Sequence, residues 1–150
     1  MAAMKPECEL VEEWRDVLAR HARTVCELDR ELHPFGLGAS DFEVLEVLAG
    51  GGDPGAGGEA PAGGGECAYR VQEIADRVHL SQSALSRLVG RLERDGLVTR
   101  GMCESDRRGV RVVLTDAGRA KYAEVRPLQR GVLARTLAGR DALPQSGAAG

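Results

Sequence analysis

The chain has 150 residues, enough for one domain with an appendage, and neither an apolar run long enough to span a membrane nor, in Met1-Ala2-Ala3-Met4-Lys5, the core of a signal peptide. A cytoplasmic protein is expected. The net charge of −3 is unevenly placed: residues 1–69 hold 5 Lys/Arg against 14 Asp/Glu, residues 70–119 hold 10 against 7, and residues 120–150 hold 5 against 2. The basic balance of the middle region keeps nucleic acid open as a partner despite the acidic total.

The first predicted element is a long amphipathic helix from Glu9 to about Leu32, in which Leu10, Trp14, Val17, Leu18, His21, Val25, Leu28 and Leu32 recur at three- and four-residue steps. Pro34 separates it from a second helix, for which Ser40 is the candidate cap and Phe42, Val44, Leu45, Val47 and Leu48 are the apolar positions. Gly50 to Gly65 follows, with nine glycines and two prolines. Such a run cannot bury enough apolar surface to fold alone and reads as a flexible surface insertion.

A compact succession of elements begins at Arg70. Val71, Ile74, Ala75 and Val78 form one helical face, with Ala75 small where a second helix must cross closely. Ser81 is a good N-cap for that second helix. There Leu85, Leu88, Val89 and Leu92 face inward at i, i+3, i+4 and i+7, leaving Ser83, Ser86, Arg87, Gly90, Arg91 and Arg94 outward. Short polar side chains near a helix N-terminus allow close approach to a DNA major groove, and the helix dipole favours phosphate. Asp95-Gly96 ends the helix. Leu97-Val98-Thr99-Arg100 and Val110-Arg111-Val112-Val113-Leu114 then make a hairpin whose tip carries Asp106-Arg107-Arg108, with Arg111 outward and Val110, Val112 and Leu114 inward. A basic hairpin beside a recognition helix is a wing, suited to placing arginine in a minor groove. Thr115 caps a last helix running through Ala117, Ala120, Tyr122, Ala123, Val125, Leu128, Val132, Leu133 and Leu137, with a bend expected near Pro127.

Val71–Ile74–Ala75, the segment Leu80 to Val89, the segment Leu92 to Arg100, Asp106-Arg107-Arg108 and Leu114-Thr115-Asp116-Ala117-Gly118 together resemble the MarR family of bacterial winged helix-turn-helix regulators. The resemblance implies that Asp106 orients Arg108 for the minor groove while Arg107 meets phosphate. Where the family's turn often carries Gly, this chain has His79, which tolerates positive φ better than most residues.

The expected fold is mainly α with a small β-wing, an α+β winged helix-turn-helix flanked by dimerisation helices. Residues 1–48 would hold the N-terminal dimerisation helix and second helix, 49–68 the insertion, 69–118 the DNA-binding domain, 119–140 the C-terminal dimerisation helix and 141–150 a disordered tail. One winged domain cannot cover both outer helices, so a homodimer is expected, joined through Leu10, Trp14, Leu18, Val125, Leu128, Val132 and Leu133 and reading an inverted repeat about one DNA turn apart. The DNA-contacting set is Gln72, Ser81, Gln82, Ser83, Ser86, Arg87, Arg91, Arg94, Asp106, Arg107, Arg108 and Arg111. Direct base readout is assigned to Gln82, Ser83, Ser86 and Arg87.

Regulation is less legible. The resemblance implies a crevice for anionic aromatics between dimer helices and winged domain, with Trp14, Arg15, His21, Phe35 and Phe42 as candidate lining, while Trp14 and Phe42 also suit a core. Cys8, Cys26, Cys67 and Cys103 form no Cys-x-x-Cys pair. They read as reduced structural or loop thiols, with a redox switch as the alternative, and no tight metal-ligand motif occurs. No cofactor is expected. No nucleophile–base pair or phosphate loop suggests an enzyme. The leading function is a transcriptional regulator of double-stranded DNA, a repressor by occlusion. A winged module for protein–protein contact and a thiol- or metal-responsive sensor are the alternatives.

Overall fold

A computed structural model describes residues 4–50, 69–102 and 110–138. Helix α1 spans Glu7–Leu32, a 3-10 turn covers His33–Phe35, and α2 spans Ala39–Leu48. From residue 69 onward, α3 spans Val71–Val78, α4 Gln82–Arg94, strand β1 Val98–Met102, strand β2 Val110–Leu114 and α5 Asp116–Leu137. The protein is therefore mainly helical with one small antiparallel sheet.

Helix α1 starts behind Pro6 with Glu7 and Glu9 in its first turn, where acidic groups meet the positive end of the helix dipole. Its two halves behave differently. Leu28 and Leu32 enter the core, whereas Leu10, Val11, Trp14, Val17 and Leu18 stand open to solvent, Trp14 at 58% and Leu10 at 50%. The apolar stripe read from the sequence is continuous, but among the described residues of one chain only its C-terminal end is covered.

Helix α5 packs along α1 and runs through Pro127. Val125 and Val132, expected at a dimer interface, are fully buried against the chain's own core and cannot meet a partner. Leu128 and Leu133 are half-buried against the same core. Periodicity shows that a helix has an apolar face, not which surface that face meets. Arg135 crosses back to Glu27 and Glu31 at 3.5 and 3.8 Å. Because α5 begins at Asp116, the boundary drawn after residue 118 falls inside its first turn.

The start of α2 also departs from expectation. Gly38, not Ser40, is its N-cap, and Ser40 lies inside the helix. Two carboxylates replace a hydroxyl cap: Asp41 Oδ2 accepts from Gly38 N at 2.7 Å and Asp29 Oδ1 from Ala39 N at 2.8 Å. Phe42, Val44 and Leu45 then pass fully into the core.

Candidate nucleic-acid interface

Helix α3 packs on α4 with Ile74 and Ala75 buried at the crossing, so the small side chain sits where the backbones come close. At the end of α3, His79 takes φ 57° and ψ 41° and its N–H bonds Ala75 O, a left-handed stop without glycine. Ser81 is the N-cap of α4, its Oγ accepting from Ala84 N at 3.2 Å. Leu85, Leu88, Val89 and Leu92 are buried. That anchoring turns Gln82, Ser83, Ser86, Arg87 and Arg94 to solvent on the opposite side.

The wing is built from antiparallel pairing of β1 and β2, in register from Val98 opposite Leu114 to Met102 opposite Val110. Tyr69 and Arg70 add a short third edge, with Val112 N donating to Tyr69 O at 3.2 Å and Arg70 bridging Arg111. Buried Val112 and Leu114 tie the sheet to the core. Arg111, expected outward, is half-buried at this edge. The tip that holds Asp106, Arg107 and Arg108, like Cys67, Cys103, the glycine-rich stretch from 51 to 68 and the tail from 139, lies outside the described residues.

Two outward arginines have protein partners. Arg91 reaches from α4 to the buried carboxylate of Asp41, which accepts its Nη2 hydrogen bond. Arg100, overlooked in the sequence as part of a strand, donates to Ser86 O at 3.3 Å and lies 3.8 Å from Glu93. Gln72 is exposed and donates to Asp76 on its own helix at 3.0 Å. Nothing in local sequence spacing signals the Asp41–Arg91 pair, because its members lie fifty residues apart.

The aromatic crevice does not form in one chain. Phe42 is fully buried and stacks on Tyr122 at 5.4 Å between ring centroids, so it fills the core. Trp14, Arg15 and His21 are exposed on the open half of α1, and Phe35 lies half-buried beneath Lys121. A depression of about 380 Å³ opens elsewhere, between α2 and α4, lined by Ser40, Leu80, Ala84, Arg87, Leu88 and Arg91.

Behind Phe42, Tyr122 donates to Glu46 at 3.3 Å, and Arg130 pairs with the same carboxylate. Loss of surrounding water, and then the charge of Glu46, holds the Glu43 carboxyl above its ordinary value of 4.5, opposed by Arg130. The same two causes push the Tyr122 phenol up. Cys8 and Cys26 are free, exposed thiols on α1, separated by about 27 Å of helix and unable to pair within one chain. Among the described residues no His, Cys, Asp and Glu group can hold a metal, and no helix is long and apolar enough to cross a membrane.

Residues 62–109 match the model of the MarR family, and the chain aligns over 97% of its length with the crystal structure of AbsC, a MarR family transcriptional regulator from Streptomyces coelicolor, at 29% identity and a TM-score of 0.71, covering 88% of that chain. The chain thus resembles MarR family regulators, in sequence over residues 62–109 and in fold over nearly its whole length. Members of that family are regulators of transcription rather than enzymes. The MarR regulator Sco3205 from Streptomyces coelicolor, solved in complex with DNA, is 25% identical with a TM-score of 0.73, covering 97% of this chain and 82% of that one. The HTH-type transcriptional repressor MdtR of Bacillus subtilis (strain 168) is 37% identical over 68 residues, which are 45% of this chain and 44% of the relative. The aligned stretch thus spans less than half the length of this curated relative.

Proposed function

We propose that two copies of this chain, acting as a MarR-type regulator, bind an inverted-repeat site in double-stranded DNA and repress transcription by occluding a promoter. The observation that carries the reading is the exposed face of α4, where Gln82, Ser83, Ser86 and Arg87 project from a helix whose opposite face is fixed in the core. Small polar groups beside arginine can read base edges in a major groove, and a capped N-terminus favours nearby phosphate. Arg108 is assigned to the minor groove and Arg107 to phosphate, as the family resemblance implies. The open stripe of Leu10, Trp14 and Leu18 supplies an apolar surface for the second copy.

Fluorescence anisotropy against the DNA upstream of the protein's own gene, with a scrambled duplex and a salt series, tests this reading. Specific binding by two protomers, weakened by ~1–3 kcal/mol in Arg108→Ala, is the expected result. Equal affinity for the scrambled duplex would favour a protein-binding winged module instead.

For a small-molecule effector, the depression between α2 and α4 is a better candidate than the aromatic set, because Arg87 and Arg91 border the apolar side chains of Leu80, Ala84 and Leu88. Benzoate-class acids should release bound DNA from the parent and not from a variant with Ala84→Trp filling the depression. Release from both would move the effector elsewhere.

A further inference from the structure

Asp29 and Asp41 meet at the first turn of α2, each accepting from one of the N–H groups that a helix start leaves unpaired. Gly38 suits this arrangement, since a Cβ there would crowd Asp29 Oδ1 at 3.2 Å while meeting Asp41 Oδ2 at an ordinary 3.5 Å. Asp41 uses both oxygens: Oδ2 holds the start of α2 while Oδ1 accepts from Arg91 of α4. Its side chain is 4% exposed, that of Arg91 53%. A line of polar contacts therefore runs from α1 through the start of α2 to the last turn of α4.

We propose that Asp41 and Arg91 form a positioning joint that fixes the rotation of α4 about its own axis, and with it the direction of Gln82, Ser83, Ser86 and Arg87. Arg91 acts on DNA through Asp41 and makes no phosphate contact of its own. The proposal rests on the DNA-binding reading above. The physical reason is the asymmetry of burial: moving Arg91 onto a phosphate would strand a carboxylate stripped of water, in exchange for a partner screened by solvent. The ion pair therefore persists when DNA arrives. On the other flank of α4, Arg100 holds Ser86 O and approaches Glu93, so the helix is gripped from α2 on one side and from β1 on the other.

The test uses the full chain as parent, Asp41→Asn, Arg91→Ala, Arg91→Lys and the double variant Asp41→Asn/Arg91→Ala, with Arg87→Ala as a DNA-face control. Asn can still accept from Gly38 N, so Asp41→Asn isolates the ion pair from the cap. In anisotropy over a salt series, each single loss should weaken specific binding about 2- to 30-fold, with the double variant no weaker than the worse single and Arg91→Lys recovering part. The slope of log K against log salt should match the parent. A slope reduced by about one in Arg91→Ala would reveal a lost phosphate contact, and tighter binding by Asp41→Asn would reveal a freed arginine. Either result overturns the joint.

Hydrogen exchange of free protein gives a readout that does not depend on DNA. Amides of residues 82–94 should open faster in Asp41→Asn and in Arg91→Ala while far-ultraviolet dichroism stays that of the parent. Unchanged protection across α4 overturns the joint. Faster exchange in a protein whose parent ignores DNA sequence would leave the joint supported and the DNA-binding reading at fault.

Discussion

Gly118 lies against the backbone of Leu97, so closely that a Cβ at residue 118 would stand 2.1 Å from Leu97 O and 2.7 Å from Leu114 Cδ1. The same carbonyl accepts from Thr115 N at 3.0 Å, which closes the base of the wing onto the first turn of α5. Backbone cannot move aside as a flexible side chain can. Gly118→Ala should therefore destabilise by at least about 2 kcal/mol, lowering Tm by roughly 5–10 °C at fixed protein concentration. A Tm within a degree of the parent would mean that α5 does not seat this closely.

Thr115 does two jobs at that junction, accepting from Gly118 N at 3.0 Å and donating to Gly96 O at 2.6 Å. Ser81 accepts from Ala84 N in the same way, and its other contact is the exposed Ser83 hydroxyl at 3.4 Å. Urea midpoints should rank the variants accordingly, with Ser81→Ala costing about 1 kcal/mol, Thr115→Val about 2 kcal/mol, and Thr115→Ser close to the parent. An equal cost for Ser81→Ala and Thr115→Val would remove the second role of the threonine hydroxyl.

Glu43 gives a pH prediction with a definite sign. Its carboxyl is held above 4.5 in the folded chain, so the folded state binds the proton more tightly than the unfolded one and the ionised group opposes folding. This unfavourable contribution is complete above the folded value, fades as pH falls through it, and is gone below the unfolded value. Glu43→Gln should therefore be more stable than the parent at neutral pH, and the two should converge in acid. Denaturation midpoints over a pH series check this, and a gain that persists undiminished in acid would assign the effect to packing.

The open stripe on α1 predicts association. Leu18→Glu should weaken dimerisation by about 2 kcal/mol or more, seen by analytical ultracentrifugation as monomer at concentrations where the parent is dimeric. Val132→Ala, which removes packing inside the chain, should instead lower thermal stability by about 1 kcal/mol or more. If Leu18→Glu sediments as the parent does, the two copies meet elsewhere.

The winged helix-turn-helix was largely legible because its signals are local. Ser81 and Thr115 are caps whose hydroxyls accept from N–H groups three residues on, His79 stands at the left-handed stop, and the Leu85–Leu88–Val89–Leu92 face is buried as its spacing implied. What escaped depends on three-dimensional partners. Val125 and Val132 carry the same periodic signal whether they meet a second chain or α1 of their own. Ser40 is a better cap by residue type than Gly38, but Asp29 and Asp41 converge on the same N–H groups from positions that spacing alone does not connect. Phe42 fills the core, as one of its two readings had it, whereas Trp14, read in the same way, stands exposed, because scarcity of aromatics says nothing about burial. The pairing of Arg91 with Asp41 is likewise a property of the folded chain, and it divides an arginine-rich helix into side chains that can reach outward and one that is already held.

Trp14 is the single tryptophan of the chain and stands 58% exposed in the middle of the open α1 stripe. Its indole is thus an optical label built into the surface that a second copy would cover. Emission maximum and quenching by iodide report directly on whether that face is wet or dry, without dye or tag. Followed during dilution or during addition of DNA, the one signal separates a protein that arrives at its site already paired from one that pairs only on it.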